Sequence, residues 1–138
     1  MVKSNTDLRT GGCLCGHVRY EINMEGSRTG NCHCRDCQKN GGGPFMTFTT
    51  PQTGHLRWIS EPEGRAQASD YAMRRFCVRC GTPMTWEHLS KDDMAVSTGT
   101  LDDPVDVTIL YEIYTTSRWA GIPAIPGIRQ YPRGTASD

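Results

Sequence analysis

The sequence predicts an all-β fold of short strands with a few helical turns. Three observations carry that expectation. Gly (15) and Pro (8) are frequent among the 138 residues, which suits tight turns more than long helices. Short runs alternate apolar and polar side chains with a period of two, and no segment sustains a helical period. The chain reads as one domain, 1–138. Its apolar fraction of 36% gives a lean core that gains from cross-links.

In chain order, "HVRYEI" (17–22) puts Val18, Tyr20 and Ile22 on one face of a half-buried strand. "FMTFTT" (45–50) is rich in aromatic and β-branched residues. After the turn-like "PQTG", "HLRWI" (55–59) is expected as its hairpin partner. "YAMRRF" (71–76), "PMTW" (83–86) and "MAVST" (94–98) are further strands, and "VDVTILYEIYTT" (105–116) is one with an interruption. The best helix is one or two turns across "CRDCQKN", stopped by the Gly41–Gly43 run. "SEPEGRAQASD" (60–70) reads as an exposed polar loop. Beyond Trp119 the prolines and glycines imply an extended segment along the surface, with a frayed tail at about 134–138. Trp58, Trp86 and Trp119 are expected in the core.

Seven cysteines can supply the cross-links. The opening "MVKSNTDLRTGG" has no apolar h-region, and no run reaches the length of a membrane span. The expected setting is cytoplasmic and reducing, where disulfides are rare. An odd cysteine count also suits metal better than a disulfide framework. Fifteen basic and fifteen acidic residues balance, so wholesale binding to nucleic acid is not expected, although a local anion pocket is compatible with that balance.

The cysteines fall into three groups. "CVRC" (77–80) is a C-x-x-C knuckle followed by Gly81, which permits the turn that aims two sulfurs at one metal. In "GGCLCG", Cys13 and Cys15 are two apart and share one face of an extended chain. Cys13, Cys15, Cys77 and Cys80 thus make a closed set of four thiolates for a structural zinc. Closing the long loop between the pairs costs about 4 kcal/mol, whereas a structural zinc contributes on the order of 10–16 kcal/mol.

Cys32, Cys34 and Cys37 then lack a fourth cysteine. Three protein ligands with an open position is the arrangement of a catalytic zinc; the alternative is that His17, His55 or His88 closes a second structural site. His33, between two ligands, should point away from them. Two Zn2+ per chain are therefore expected, one structural and one exchangeable. A zinc held by three thiolates is net negative, a poor Lewis acid for carbonyls but a good host for an exogenous thiol whose free pKa is about 8.5. Thiol–aldehyde adduct chemistry follows.

With both sites laid out, the chain resembles the glutathione-dependent formaldehyde-activating enzyme family, also called centromere-protein-V-like. The matching pieces are "GGCLCGHVRY" (11–20), "NCHCRDCQK" (31–39), "GGPF" (42–45), "RFCVRCGTPM" (75–84) and "GTLDDP" (99–104), with "SRWAGIP" (117–123) and "QYP" (130–132) matching more loosely. The resemblance implies an Mss4-like, zinc-ribbon-related β fold, and the same division of the cysteines into a structural set and a reaction centre. It also implies a carbon–sulfur lyase that interconverts S-hydroxymethylglutathione with glutathione and formaldehyde. A non-catalytic zinc module that binds a protein is the competing expectation, and an enzyme acting on another thiol adduct lies nearer the first. Glutathione carries two carboxylates, so Arg35 and Lys39, within or beside the three-cysteine motif, are the candidate contacts, and Arg118 is a looser one. His33 is a candidate proton shuttle.

Overall fold

The computed structural model describes residues 6–135. The strands are β1 (Leu8–Gly12), β2 (Arg19–Asn23), β3 (Arg28–Cys32), β4 (Met46–Thr50), β5 (Leu56–Ser60), β6 (Gly64–Ala66), β7 (Ala72–Phe76), β8 (Thr85–His88), β9 (Met94–Ser97), β10 (Tyr111–Ile113) and β11 (Arg129–Gln130). One helix, α1 (Arg35–Gly41), follows β3, and two 3-10 turns lie at Thr98–Thr100 and Thr115–Ser117. The fold is mostly β with two cysteine clusters, in keeping with a zinc-ribbon-related fold. No described helix is long and apolar enough to cross a membrane.

A three-stranded antiparallel sheet runs β1-β2-β5, and an eight-stranded one runs β11-β10-β3-β4-β9-β8-β7-β6. Both contribute to one core, in which Val18, Tyr20, Ile22, Cys77, Met84 and Val96 are wholly buried. The expected alternation in 17–22 is therefore correct. Burying each large side chain stabilises by roughly 1.5–3 kcal/mol. The Tyr20 hydroxyl remains satisfied at 2.7 Å from Thr100 Oγ1. Asp102 ties the sheets at the rim by accepting from Arg19 at 2.6 and 2.9 Å and from Thr10 at 2.6 Å.

The hairpin expected between 45–50 and 55–59 does not form. The turn exists, with His55 N–H donating to Gln52 O at 2.9 Å. However, β5 pairs with β2, setting Trp58 opposite Tyr20 and Leu56 opposite Ile22. Their ring contact, edge-on at 5.7 Å, shows that apolar burial outweighs sequence proximity here. β4 instead lies between β3 and β9.

Other departures are local. The polar stretch 60–70 contains β6, held on β7, with Gly64 against the ring of Phe76. Within 105–116 only Tyr111–Ile113 forms a strand, and the interruption has a cause: Tyr114 has φ 55 and starts the second 3-10 turn. Trp58 packs against the core, but Trp119 is 47% exposed and Trp86 faces a cavity. From residue 136 onward the tail expected to fray lies outside the described residues.

Candidate active site

Cys13 and Cys15 follow β1, and Cys77 and Cys80 follow β7. The pinch in each loop is set by backbone bonds, Gly16 N–H to Cys13 O at 3.1 Å and Gly81 N–H to Cys77 O at 2.8 Å. Gly81 has φ 80, a left-handed conformation that glycine adopts without strain. The four Sγ atoms lie within 4.8 Å of one another. Cys13 and Cys15 sulfurs are 3.6 Å apart and those of Cys15 and Cys77 3.8 Å. A tetrahedral zinc with Zn–S bonds of about 2.3 Å sets its sulfurs about 3.8 Å apart, so this set fits the ion closely. Backbone N–H groups of Val18 and Arg79 point at Cys13 and Cys77 sulfur, at 3.2 and 3.4 Å. The Thr82 hydroxyl, 3.1 Å from Cys80 Sγ, together with the Thr82 N–H, draws that thiol down to about 5.

The second cluster is built where β3 runs into α1. Cys32 ends β3 opposite Met46 and beside Ile113. Cys34 caps α1, its sulfur accepting the Cys37 N–H at 3.3 Å, and Gly42 ends the helix by donating to Gln38 O at 2.9 Å. Helix formation thus brings Cys37 back beside Cys34, and the three sulfurs lie within 4.8 Å of one another. Cys34 is held as a thiolate far below the ordinary thiol range by hydrogen bonds from Cys32 and Cys37. The same contacts push Cys32 far up. Three sulfurs this close cannot all ionise unless a cation joins them, and this donor set suits a soft ion such as zinc.

Among the described residues no fourth His, Cys, Asp or Glu donor joins this cluster. His17 is held by Glu63 at 2.8 Å, and His88 Nδ1 by the Ser90 N–H at 3.1 Å. His55 sits in the turn before β5, where its backbone bonds Gln52 and Asn23. His33 points away from the sulfurs, as expected for a neighbour in extended chain. Its ring is wholly buried, with Nε2 2.8 Å from Glu112 Oε1. Glu112 also accepts from Asn31, Gln130, Arg118 and the Ile125 N–H. Burial opposes its ionisation, but these donors, His33 foremost, outweigh that and hold the carboxyl at about 2. Arg118, suggested as a substrate contact, is engaged in this network.

The sulfurs form one wall of a cavity of about 180 Å³. Phe48, Trp86, Ala95 and Ile113 supply apolar walls, and the rings of Tyr71, Tyr111 and Tyr114 complete them. Among the described residues, Arg74 is the cation at this cavity. Its Nη2 lies 3.5 Å from Cys37 Sγ, and its guanidinium sits 6.0 Å from the centre of the Phe48 ring. On its other side Arg74 borders a second depression with Asp36, Lys39, Asn40 and Ser69. Arg35 is exposed and bonds Gln38, and Lys39 faces the polar depression; neither lines the sulfur cavity. Arg74 and Glu112 were not singled out from the sequence, and Trp86, expected in the core, lines the cavity instead. The signal for Arg74 was the pair "RR" in a strand, where consecutive side chains take opposite faces. Its neighbour Arg75 turns instead to Glu87 at 2.6 Å and to Trp58.

Fold and site together define a mostly β protein with one closed and one open cysteine cluster, each able to hold a metal ion. The chain belongs to the glutathione-dependent formaldehyde-activating enzyme family, whose model matches residues 8–117. It is 34% identical over 76 residues to an uncharacterized lyase of Schizosaccharomyces pombe, a match covering 54% of this chain and 53% of that protein. The match thus spans about half the length of that relative. A crystal structure of a Rhodobacter sphaeroides protein superposes with a TM-score of 0.53 at 22% identity, over 72% of this chain and 96% of that one; it supports the fold.

Proposed function

We propose that this protein is a zinc-dependent carbon–sulfur lyase acting on a thiol–aldehyde adduct of the S-hydroxymethylglutathione type. The observation that carries this is the cluster of Cys32, Cys34 and Cys37, three sulfurs in the wall of a cavity with no fourth donor of the described chain beside them. Membership of a family named for glutathione-dependent formaldehyde activation supports it, as does the lyase name of the S. pombe relative. In this reading Cys13, Cys15, Cys77 and Cys80 hold a structural zinc, and the three-cysteine set holds an exchangeable one. Cys32, Cys34 and Cys37 would hold that zinc, which would supply the stabilisation of a substrate thiol as its thiolate.

The residues of the chain do the rest. In the cleavage direction the adduct R–CH(OH)–SR′ loses its hydroxyl proton to water and its C=O bond forms. The C–S bond breaks with its electron pair left on sulfur, giving the aldehyde RCHO, the thiolate and one proton. In the reverse direction negative charge develops on the former carbonyl oxygen. Arg74, beside the sulfurs, is placed to stabilise that charge in a low-dielectric setting. Arg35 and Lys39, exposed on α1, meet the carboxylates of the thiol carrier.

The test is zinc per chain before and after a mild chelator, followed by exchange NMR of glutathione with formaldehyde. Loss of one zinc of two, with the fold kept and accelerated exchange abolished, is the expected result. Two zincs that both resist removal short of unfolding, with no acceleration of exchange, would overturn the lyase reading in favour of a closed interaction module.

A further inference from the structure

A one-carbon aldehyde makes little use of the cavity beside the sulfurs. Formaldehyde fills about the space of two waters, each with a share of liquid volume of about 30 Å³. The cavity measures about 180 Å³, and an apolar cavity of about 150 Å³ accepts a benzene ring. Its walls are rings and aliphatic groups, among them Phe48, Trp86, Tyr111 and Ile113. Polar groups gather on the far side of Arg74, where Asp36, Lys39, Asn40 and Ser69 border a separate depression. Arg74 is the partition between them, reaching Cys37 Sγ with Nη2 and Asn40 Oδ1 with Nη1, both at 3.5 Å.

We propose that the carbon bonded to sulfur in the substrate adduct carries an apolar, ring-sized substituent, which sits between Phe48, Trp86 and Tyr111 while the polar thiol carrier lies across Arg74. The proposal rests on the lyase reading for the chemistry, with R in R–CH(OH)–SR′ an aromatic or bulky aliphatic group in place of hydrogen. The preference is a matter of cavity and wall chemistry, because apolar walls that meet only a hydrogen atom gain nothing from being kept dry. Aromatic walls also favour an aromatic guest through edge and offset-stacked contacts.

Stable thioethers separate this proposal from the lyase reading, since they bind without reacting. S-Methylglutathione and S-benzylglutathione would be titrated calorimetrically into the full chain carrying its metal. The benzyl compound is expected to bind tighter by about tenfold or more. Trp86→Ala should cut that ratio to within about threefold. Tyr71→Ala, at a ring that is 51% exposed, should lower it without a risk to folding. Equal affinities, tighter binding of the methyl compound, binding of neither, or a ratio untouched by both substitutions each overturn the proposal. Exchange kinetics on the glutathione adducts of formaldehyde and 3-phenylpropanal judge the lyase reading separately. Absence of turnover with a retained benzyl preference would sink that reading and leave the substrate-shape inference standing.

Discussion

His33 Nε2 lies 2.8 Å from Glu112 Oε1, and both side chains are shut off from solvent. The contact ties the chain between Cys32 and Cys34 to β10. Glu112 in turn gathers Arg118, Gln130 and the Ile125 N–H from the C-terminal segment. One carboxylate thus fixes both the cysteine loop and the strap that passes behind it.

Removing this carboxylate leaves several buried donors unpaired. Glu112→Ala is expected to cost about 3–5 kcal/mol, read as the midpoint of urea unfolding. The pH dependence has a definite sign. The folded carboxyl is held at about 2 against an ordinary value of 4.5, so its contribution is complete above about pH 4.5 and is lost as pH falls towards 2. Glu112→Gln has no such ionisation, so the stability gap between wild type and variant should narrow over that window. A zinc lost on acidification would be lost from both proteins, so the comparison is confined to the part of that window in which both remain folded. A gap that widens towards low pH would contradict this role.

Cys77→Ser should abolish the structural site. The four-sulfur set joins loops far apart in the chain, at Cys13 and Cys77, and Cys77 is wholly buried. A structural zinc contributes on the order of 10–16 kcal/mol, more than the usual total stability of a domain. The variant is therefore expected to be unfolded by circular dichroism and to bind at most one zinc. A folded variant with two zincs would count against the assignment.

Where one face of a strand is apolar and the other polar, the sequence discloses it, and Tyr20 and Ile22 are examples. β3, "RTGNC", could not be read this way. Its buried residues are polar and satisfied by one another: Thr29 bonds Thr49 at 2.7 Å, and Asn31 accepts from Thr47 at 2.7 Å. Polar burial leaves no hydrophobic period to detect. The pairing of β5 with β2 was equally hidden, because a nearby turn is visible in sequence and a distant apolar partner is not. Cysteine spacing separated the two clusters, since C-x-C and C-x-x-C constrain geometry over a few residues. Arg74 lies on a strand distant in sequence, and its reach to Cys37 is a product of tertiary packing. Glu112 left a faint trace as the lone acid within "ILYEIY", since an acid in an apolar run needs buried partners.

Cys34→Ser is a clean probe of the second cluster. Serine preserves the cap on the Cys37 N–H, because a hydroxyl oxygen accepts there as readily as sulfur. Stability should change by no more than about 1 kcal/mol while one of the two proposed zincs and any exchange activity are lost. Retention of both zincs and of activity would remove the basis for a reaction centre at Cys32, Cys34 and Cys37.

Arg74→Ala removes the one cation beside the sulfurs among the described residues, while Arg74→Lys keeps the charge but loses the planar fork. If Arg74 stabilises the developing oxyanion, alanine should lower kcat by about 10²–10³, the range seen on removing one such donor. Lysine should recover part of the loss, with KM changed less than kcat. A purely structural role would instead lower the unfolding midpoint of both variants and leave kcat of the folded fraction intact.

Gly30→Ala tests whether Tyr111 shapes the cavity. Gly30 pairs with Tyr111 across β3 and β10, and a Cβ there would sit 2.1 Å from the ring. Arg28 lies over that ring at 5.9 Å from its centre, and the ring itself is part of the cavity wall. The clash can be relieved by tilting Tyr111 into the cavity or by parting the strands. Either route should cost about 1–3 kcal/mol. The first also shrinks the cavity, so affinity for a benzyl thioether should fall more than affinity for a methyl one. Gly99→Ala is the control, since nothing lies within 4 Å of its added Cβ, and its stability should stay within about 0.5 kcal/mol of wild type. A Gly30→Ala variant as stable as that control would show that β3 and β10 have room the packing denies.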